Sequence, residues 1–338
     1  MKLQERISTL LHLGEYLSAN GEKWQEAKRR ATLANPWFIP QFIDMAVENV
    51  IHFFLEKAAL ENWAKQYAIP EENPAPVRVG LTMAGNIPLV GFHDWLTLFM
   101  AGQRVVIKPS SKDEILMTHI VEMMATFNPA IDGYMQFAER LTGCDAYIAT
   151  GSNNSGRYFE YYFGKYPNII RRNRTSVAIL TGNETKEELS LLADDMLLYF
   201  GLGCRNVSKL YVPRNYPWEP LLRAADRYNW MKDHDKFRNN YDYQLSLLIL
   251  NNKYYMSNEA LLLVENNQLF SPVAQVNYEY YDTMPANLLE ENAENLQCVC
   301  GAGGFSFGQA QKPSLTDYAD GVDTMAFALG LGGGGGRG

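Results

Sequence analysis

Apolar positions recur at helical spacing through the first seventy residues. Ile7, Leu10, Leu11 and Leu17 fall on one face, and Asn20-Gly21 ends the run. Pro36 and Pro40 bracket a turn, after which one long helix is predicted from Gln41 to Tyr67. The Pro-rich segment PEENPAP (70–76) breaks this periodicity. Beyond it the pattern becomes short apolar runs separated by helical stretches. VRVGLTM (77–83), RVVIK (104–108), AYIAT (146–150) and SVAIL (176–180) read as strands. Helices are expected through Trp95 to Met100, from Asp113 to Phe127, and after GSNNSGR. Strands alternating with helices predict an α/β fold built on a parallel, doubly wound sheet with helices on both faces.

A second, smaller α/β unit is predicted from residue 183. Glu184 to Tyr199 is helical, a glycine-flanked cysteine follows, and KLYV (209–212) is a strand. A helix is expected near Pro217 to Trp230, a mixed region at YDYQLSLLILN, and strands near ALLLVE and AQVNYEYY. The expected partition is a helical region at 1–74, an α/β domain at 75–182, a second domain at 183–312, a C-terminal segment at 313–330 and a Gly-rich tail at 331–338, which is too low in complexity to pack a core.

Composition narrows the function classes. With 338 residues, 47% hydrophobic and 20% charged, the chain reads as a soluble globular protein of two domains. A net charge of -8 excludes a general nucleic-acid footprint. No apolar run approaches the roughly 20 residues of a membrane span, and the N-terminus lacks the pattern of a signal peptide. Four cysteines do not make a disulfide framework, so a cytoplasmic protein with reduced thiols is expected. Cys298 and Cys300 form a C-x-C whose thiols are expected on opposite faces of a strand, and no metal site is expected there.

Four segments carry candidate chemistry. In YFGLGCRNVSKLYV, Cys204 stands among small residues between a helix and a strand, with Arg205 beside it to favour a thiolate, the nucleophilic form. In GNIPL (85–89), Asn86 follows a strand and offers an amide to a developing oxyanion, although an ordinary turn fits the spacing as well. In TGSNNSGR (150–157), a glycine turn opens a helix, either as a phosphate cradle or as a helix start capped by Ser152 or Asn153. In VVIKPSSKD (105–113), Lys108 ends a strand, where nucleotides bind in parallel sheets, or stands as a surface lysine.

The order of these segments resembles the aldehyde dehydrogenase superfamily: N-x-P after one strand, V-x-K-P-S after the next, T-G-S-x-x-x-G after a third, then the glycine-flanked cysteine. TGSNNSGR, GLGCRNVSKLYVP, YDYQLSLLILN and LTDYADGVDTM are similar to its fatty acyl-CoA reductase (LuxC-like) branch, over roughly residues 75–327. The resemblance implies an aldehyde-dehydrogenase-like fold, with a Rossmann-like domain that binds a nicotinamide dinucleotide at 75–182 and a catalytic domain at 183–312. It implies Cys204 as nucleophile and Asn86 as oxyanion donor. It implies Lys108 at the adenosine ribose, with Ser110 and Ser111 in the same turn, and Gly151 and Ser152 over the phosphates. Gln268, in QLFSPV, stands where the family places a glutamate that holds the nicotinamide ribose.

A second departure concerns the acyl acceptor. Hydrolytic members carry a glutamate base upstream of the cysteine, whereas RRNRTSVAIL holds no carboxylate. Water is then a poor acceptor and a thiol such as coenzyme A the better one. The resemblance therefore implies reduction of an acyl-CoA or other acyl thioester to an aldehyde through a cysteine thioester. Two other readings keep the fold: a cysteine acyltransferase that passes acyl groups between thiols, and a non-catalytic scaffold. NAD-preferring relatives carry an acidic residue three positions after the strand-end lysine. Here Ser111 stands there, followed by Lys112, and NADPH is expected. Family members usually associate, so a homo-oligomer is allowed. The aromatic run YFEYYF (158–163) is read as core, with an acyl tunnel as the other use.

Overall fold

The computed structural model describes residues 1–332; residues 333–338, most of the predicted Gly-rich tail, lie outside the described residues. The chain divides into two compact units, 1–173 with 314 onward, and 174–313. In the first, four helices lead, α1 (Leu3–Ala19), α2 (Glu22–Ala34), α3 (Pro40–Asn49) and α4 (Lys57–Gln66). The helix predicted over 41–67 is interrupted between α3 and α4 by a single π turn at Val50–Phe54. The α/β part runs β1 (Arg78–Thr82), α5 (Phe92–Met100), β2 (Arg104–Lys108), α6 (Glu114–Phe127), β3 (Met135–Phe137), β4 (Ala146–Thr150), α7 (Asn153–Phe163) and β5 (Asn168–Arg171).

All five strands are parallel, in the order β3-β2-β1-β4-β5. The chain builds outward from β1 to β3, then returns to the other side of β1 with β4. Such a reversal opens a crevice at the strands' carboxyl ends. One core joins Leu10, Leu13, Trp24 and Trp63 of the leading helices to Trp95, Leu96 and Phe99 of α5 and Ile107 and Ile148 of the sheet. Burial of these side chains, each worth about 1.5–3 kcal/mol, makes the N-terminal helices part of the same unit.

The second unit runs β6 (Thr175–Ile179), α8 (Lys186–Leu197), β7 (Val207–Pro213), α9 (Trp218–Ala225), α10 (Asp235–Leu250), β8 (Met256–Ser257), β9 (Leu262–Glu265), β10 (Gln275–Tyr281), α11 (Leu288–Glu291) and β11 (Leu296–Gly301). Its sheet has the order β11-β6-β7-β10-β9-β8, parallel except for the edge pair β8–β9. Here the sequence expectation needs correcting. SVAIL is not a strand of the first sheet: it pairs with β7 and β11, so the boundary falls at residue 174 and not at 183. The stretch YDYQLSLLILN, read as mixed, forms the end of α10 with Asn251 as its C-cap, and the only buried residues of this helix are Phe237 and Leu248. The C-x-C expectation is corrected too. Residues two apart share a face of a strand, and Cys298 and Cys300 are both buried on alternate positions of β11.

The chain returns to the first unit in its last described residues. Tyr318 accepts a hydrogen bond from Trp63 Nε1 (3.0 Å), Tyr67 Oη donates to Asp323 (2.8 Å), and Gln103 Nε2 donates to the carbonyl of Ala328 (2.7 Å) in the last helix, α12 (Thr324–Gly330). Tyr318→Phe leaves a buried indole N–H without this acceptor. It is expected to lower stability by about 1–3 kcal/mol, read as a shift of the urea midpoint at unchanged slope. An unshifted midpoint would mean that the segment docks without this bond.

Candidate functional site

In the first unit the sheet register sets the site. Thr82 lies opposite Lys108 on one side and Ala149 on the other, and Thr150 opposite Arg171. The chain therefore leaves β1, β2 and β4 at one level, about 4.8 Å apart from strand to strand. Three of the predicted segments start there: the turn that holds Asn86, the turn Lys108–Asp113, and the turn at Gly151-Ser152. Lys108, Ser111, Lys112 and Ser152 are exposed, while Asn86, Ser110 and Gly151 are half-buried.

The first two turns are built against each other. A Cβ at Gly85 would lie 2.5 Å from Ser110 Oγ, so only glycine allows this approach. Leu89, with φ 58°, is in the left-handed region, and its N–H donates to Asp113 Oδ2 (2.7 Å). The other oxygen of this buried carboxyl, Oδ1, has no hydrogen-bond partner. Burial pushes the Asp113 carboxyl up to about 8, against the smaller lowering effect of the Leu89 N–H. Asp113 is itself the N-cap residue of α6, so Ser111 does not cap that helix. Ser110 Oγ accepts from Lys112 N–H (3.3 Å).

The third turn has a local structural role of its own. Ser152 caps α7, its Oγ accepting from Ser155 N–H (3.2 Å). A Cβ at Gly151 would stand 2.8 Å from Ser155 Cβ. The aromatic run does not form a core stripe: Tyr158, Tyr161 and Tyr162 are exposed on α7. Phe163 stacks on Tyr147 and on Phe159.

In the second unit Cys204 is half-buried in a turn between α8 and β7. Tyr199, Phe200 and Gly201 precede it with φ of 54°, 57° and 70°, three left-handed residues in succession. Such a conformation costs roughly 1–2 kcal/mol for each residue with a side chain. Ser176 of β6 donates from Oγ to the carbonyl of Cys204 (3.0 Å) and accepts from Cys298 N–H (3.1 Å). Arg205, expected to act on Cys204, donates to Cys298 Sγ (3.4 Å) and the carbonyl of Ala310 (3.5 Å). Asp195 of α8 is buried, accepts from Gly308 N–H (2.6 Å), and is pushed up to about 6 by its burial.

Gln268 is exposed on the loop before β10, and the loop itself is held carbonyl by carbonyl. Lys209 Nζ donates to Asn267 O (2.7 Å), Asn277 Nδ2 to Gln268 O (2.9 Å) and Phe270 O (3.0 Å), and Ser208 Oγ to Leu269 O (2.6 Å). Lys209 is buried and also paired with Glu279 (2.5 Å). Ser208 and Lys209 follow Cys204 on β7, the strand next to β10, so the cysteine turn and the Gln268 loop share the amino-terminal edge of this sheet. Asp113, Asn206, Ser208 and Lys209 were not singled out by the sequence. Among the described residues no cluster of three or more His, Cys, Asp or Glu could hold a metal.

No protein-family model matches the sequence, and no curated protein matches it significantly. Solved structures do match. Aldehyde dehydrogenase 21 from Physcomitrella patens, in complex with the reaction product succinate, superposes with a TM-score of 0.66 at 12% identity, covering 97% of this chain and 84% of that one. A NAD-dependent benzaldehyde dehydrogenase from Corynebacterium glutamicum gives 0.63 at 11%, covering 89% and 76%. An aldehyde dehydrogenase from Mycobacterium tuberculosis complexed with NAD+ gives 0.61 at 14%, covering 84% and 69%. At these identities the likeness shows the fold, and the chain has the aldehyde dehydrogenase fold. No helix among the described residues is long and apolar enough to cross a membrane.

The Asp113 carboxyl makes a testable claim. Its pKa is raised on folding, so between about pH 4 and pH 8 the folded state keeps a proton that the unfolded chain has released. Stability should fall as pH rises through this window. Asp113→Asn should flatten the fall, read as urea midpoints at pH 6 and pH 9; parallel slopes in both proteins would show that Asp113 is not the titrating group.

Proposed function

We propose that this chain reduces an acyl-CoA, of the fatty acyl class, to the aldehyde with NADPH. One observation carries the reading: Asn86, Lys108–Ser111 and Gly151-Ser152 all leave the carboxyl edge of a parallel sheet at its reversal point, in a chain that also presents Cys204 in a glycine-flanked turn. The residues fit a phosphorylated dinucleotide. Lys108 and Lys112 are exposed cations, Ser111 is an exposed hydroxyl in place of a carboxylate, and Gly151 opens a capped helix of eleven residues.

The Cys204 thiolate attacks the thioester carbonyl. The carbonyl electrons move to oxygen, where the Asn86 amide and the Cys204 N–H donate to the oxyanion. Collapse expels the coenzyme A thiolate, which takes a proton, and leaves the acyl group on Cys204. When bound, the reduced nicotinamide supplies the hydride that converts this enzyme thioester to the aldehyde. The Cys204 thiolate is the second leaving group and is regenerated. Lys108, Ser110 and Ser111 would hold the ribose end, Gly151 and Ser152 the phosphates, and Gln268 the nicotinamide ribose. The balance is acyl-CoA, NADPH and a proton to aldehyde, coenzyme A and NADP+.

The stretch RRNRTSVAIL supports thiol in place of water as the acceptor. It has no carboxylate, and its arginines are engaged: Arg171 with Asp94 and Thr324, Arg172 with Glu160, Arg174 with the carbonyls of Ala293 and Leu296.

Cys204→Ser is expected to abolish both aldehyde formation and thiol release from acyl-CoA, while nucleotide still binds. Near-normal turnover would reject Cys204 as nucleophile, and thiol release continuing over many turnovers without cofactor consumption in wild type would point to the acyltransferase. The cofactor choice is tested separately. Wild type should favour NADPH by roughly 10- to 100-fold in kcat/KM, equal to about 1.4–2.8 kcal/mol. Ser111→Glu should reverse this through repulsion of the 2′-phosphate; an unchanged ratio would take the choice away from this turn.

A further inference from the structure

The left-handed turn before Cys204 is closed by one side chain. Asn206 is 2% exposed, and its amide makes three hydrogen bonds. Oδ1 accepts from Gly203 N–H (2.8 Å), while Nδ2 donates to the carbonyls of Asp195 (3.0 Å) and Leu198 (2.9 Å). Asp195 and Leu198 lie at the carboxyl end of α8, where helical carbonyls lack partners within the helix. Gly203 adjoins Cys204. One amide thus joins the two ends of the segment 198–203, with Tyr199, Phe200 and Gly201 looped between them. Its backbone completes the clamp: Asn206 N–H donates to Gly203 O (3.0 Å), and Ser176 N–H donates to Asn206 O (3.2 Å).

The residue type is demanded by the partners. The turn offers one donor and two acceptors, and a carboxamide presents the complement, one acceptor and two donors. Aspartate could meet only the Gly203 N–H. Alanine would leave all three groups without this partner, and two of the three bonds it removes are buried. Left-handed residues with side chains persist where surrounding contacts over-determine them. Phe200 is locked by Phe237 and His234 (ring centroids 5.6 and 4.5 Å), and the amide fixes the rest.

We infer that Asn206 is the positioning residue of the nucleophile: it holds the left-handed turn closed and so fixes the direction in which the Cys204 thiol attacks. This rests on the reading of Cys204 as the nucleophile toward an acyl thioester. Attack on a carbonyl needs a defined approach, whereas a small alkylating reagent reaches a thiol from many directions. Loss of the clamp should separate the two reactions.

The experiment compares wild type with Asn206→Ala. The burst of coenzyme A thiol release from an acyl-CoA, without nicotinamide cofactor, measures oriented attack. Alkylation by iodoacetamide measures the thiol itself, and NADPH binding with the thermal transition reports folding. The burst should slow by about 10- to 100-fold, while alkylation changes by less than about threefold. An unchanged burst overturns the inference, and so does an equal slowing of both reactions, which would mark a general loss of structure. If the alanine variant shows no cooperative transition, Asn206→Asp decides in the same assays. It keeps the acceptor for Gly203 and loses both donations, and a burst equal to wild type would again overturn the inference. A wild-type protein that binds NADPH but gives no burst with any acyl-CoA overturns the acyl-thioester reading and the inference with it.

Discussion

Parallel strands impose one constraint on both units of this chain. Each connection must cross back over the sheet, so all strand exits lie at one edge and all entries at the other. In the first unit the candidate residues are all exits, grouped because β1 is flanked by the first strand of each half, β2 and β4. In the second unit they are entries: Cys204 precedes β7, the Gln268 loop precedes β10, and these strands are neighbours. Residues 182 positions apart, Asn86 and Gln268, therefore belong to the two kinds of edge that the same topology generates. No catalytic constellation is needed to explain the grouping inside either unit, since handedness and strand order produce it.

Of the turns that hold left-handed residues with side chains, two stand beside candidate residues. Leu89 is three residues after Asn86, and Tyr199 to Gly201 end three residues before Cys204. Each is held by a single buried polar side chain from further along the chain, Asp113 for the first and Asn206 for the second. Strain of roughly 1–3 kcal/mol per residue persists only where such contacts fix it. The two anchors differ in kind. Asn206 is fully matched, with three partners for its amide, and is a rigid fastening. Asp113 is half-matched, with one carboxylate oxygen lacking a partner and burial that favours its protonated form, so its hold on Leu89 is coupled to pH.

Much of this was legible in the sequence because buried parallel strands are short β-branched runs between helices. RVVIK and AYIAT could be read in that way, and the exit residues followed. The sheet to which SVAIL belongs could not be read, since an apolar run buried on both faces carries no mark of its neighbours. β3 and β5, at three and four residues, are too short to show a period. α10 misled for a different reason: Tyr243, Leu247, Ile249 and Leu250 are exposed, so its apolar residues do not trace one buried face. Asp113 and Asn206 escaped because their importance lies in partners. Nothing local to Asp113 announces a backbone N–H twenty-four residues earlier. Arg205, beside Cys204 in the sequence, likewise has partners far along the chain, its guanidinium donating to Cys298 Sγ and to the carbonyl of Ala310.

The arginines at 171–174 join the structural and chemical arguments. A base that activates water must be a group able to take a proton, and this segment offers guanidinium groups, which cannot under ordinary conditions. The choice of arginine is explained by structure without any reference to catalysis. Arg171 is 2% exposed and bridges Asp94 at the start of α5 to Thr324 at the start of α12, so it fastens the returning C-terminal segment to the sheet. A buried ion pair of this kind is costly to break from one side, about 3–5 kcal/mol, so an uncharged or acidic residue at 171 would strand Asp94. The same fastening that ties residue 324 to the first unit therefore keeps a carboxylate out of position 171. In the proposed reaction that leaves the acyl-enzyme without a water-activating base from these residues, and favours hydride or thiol as the group that resolves it.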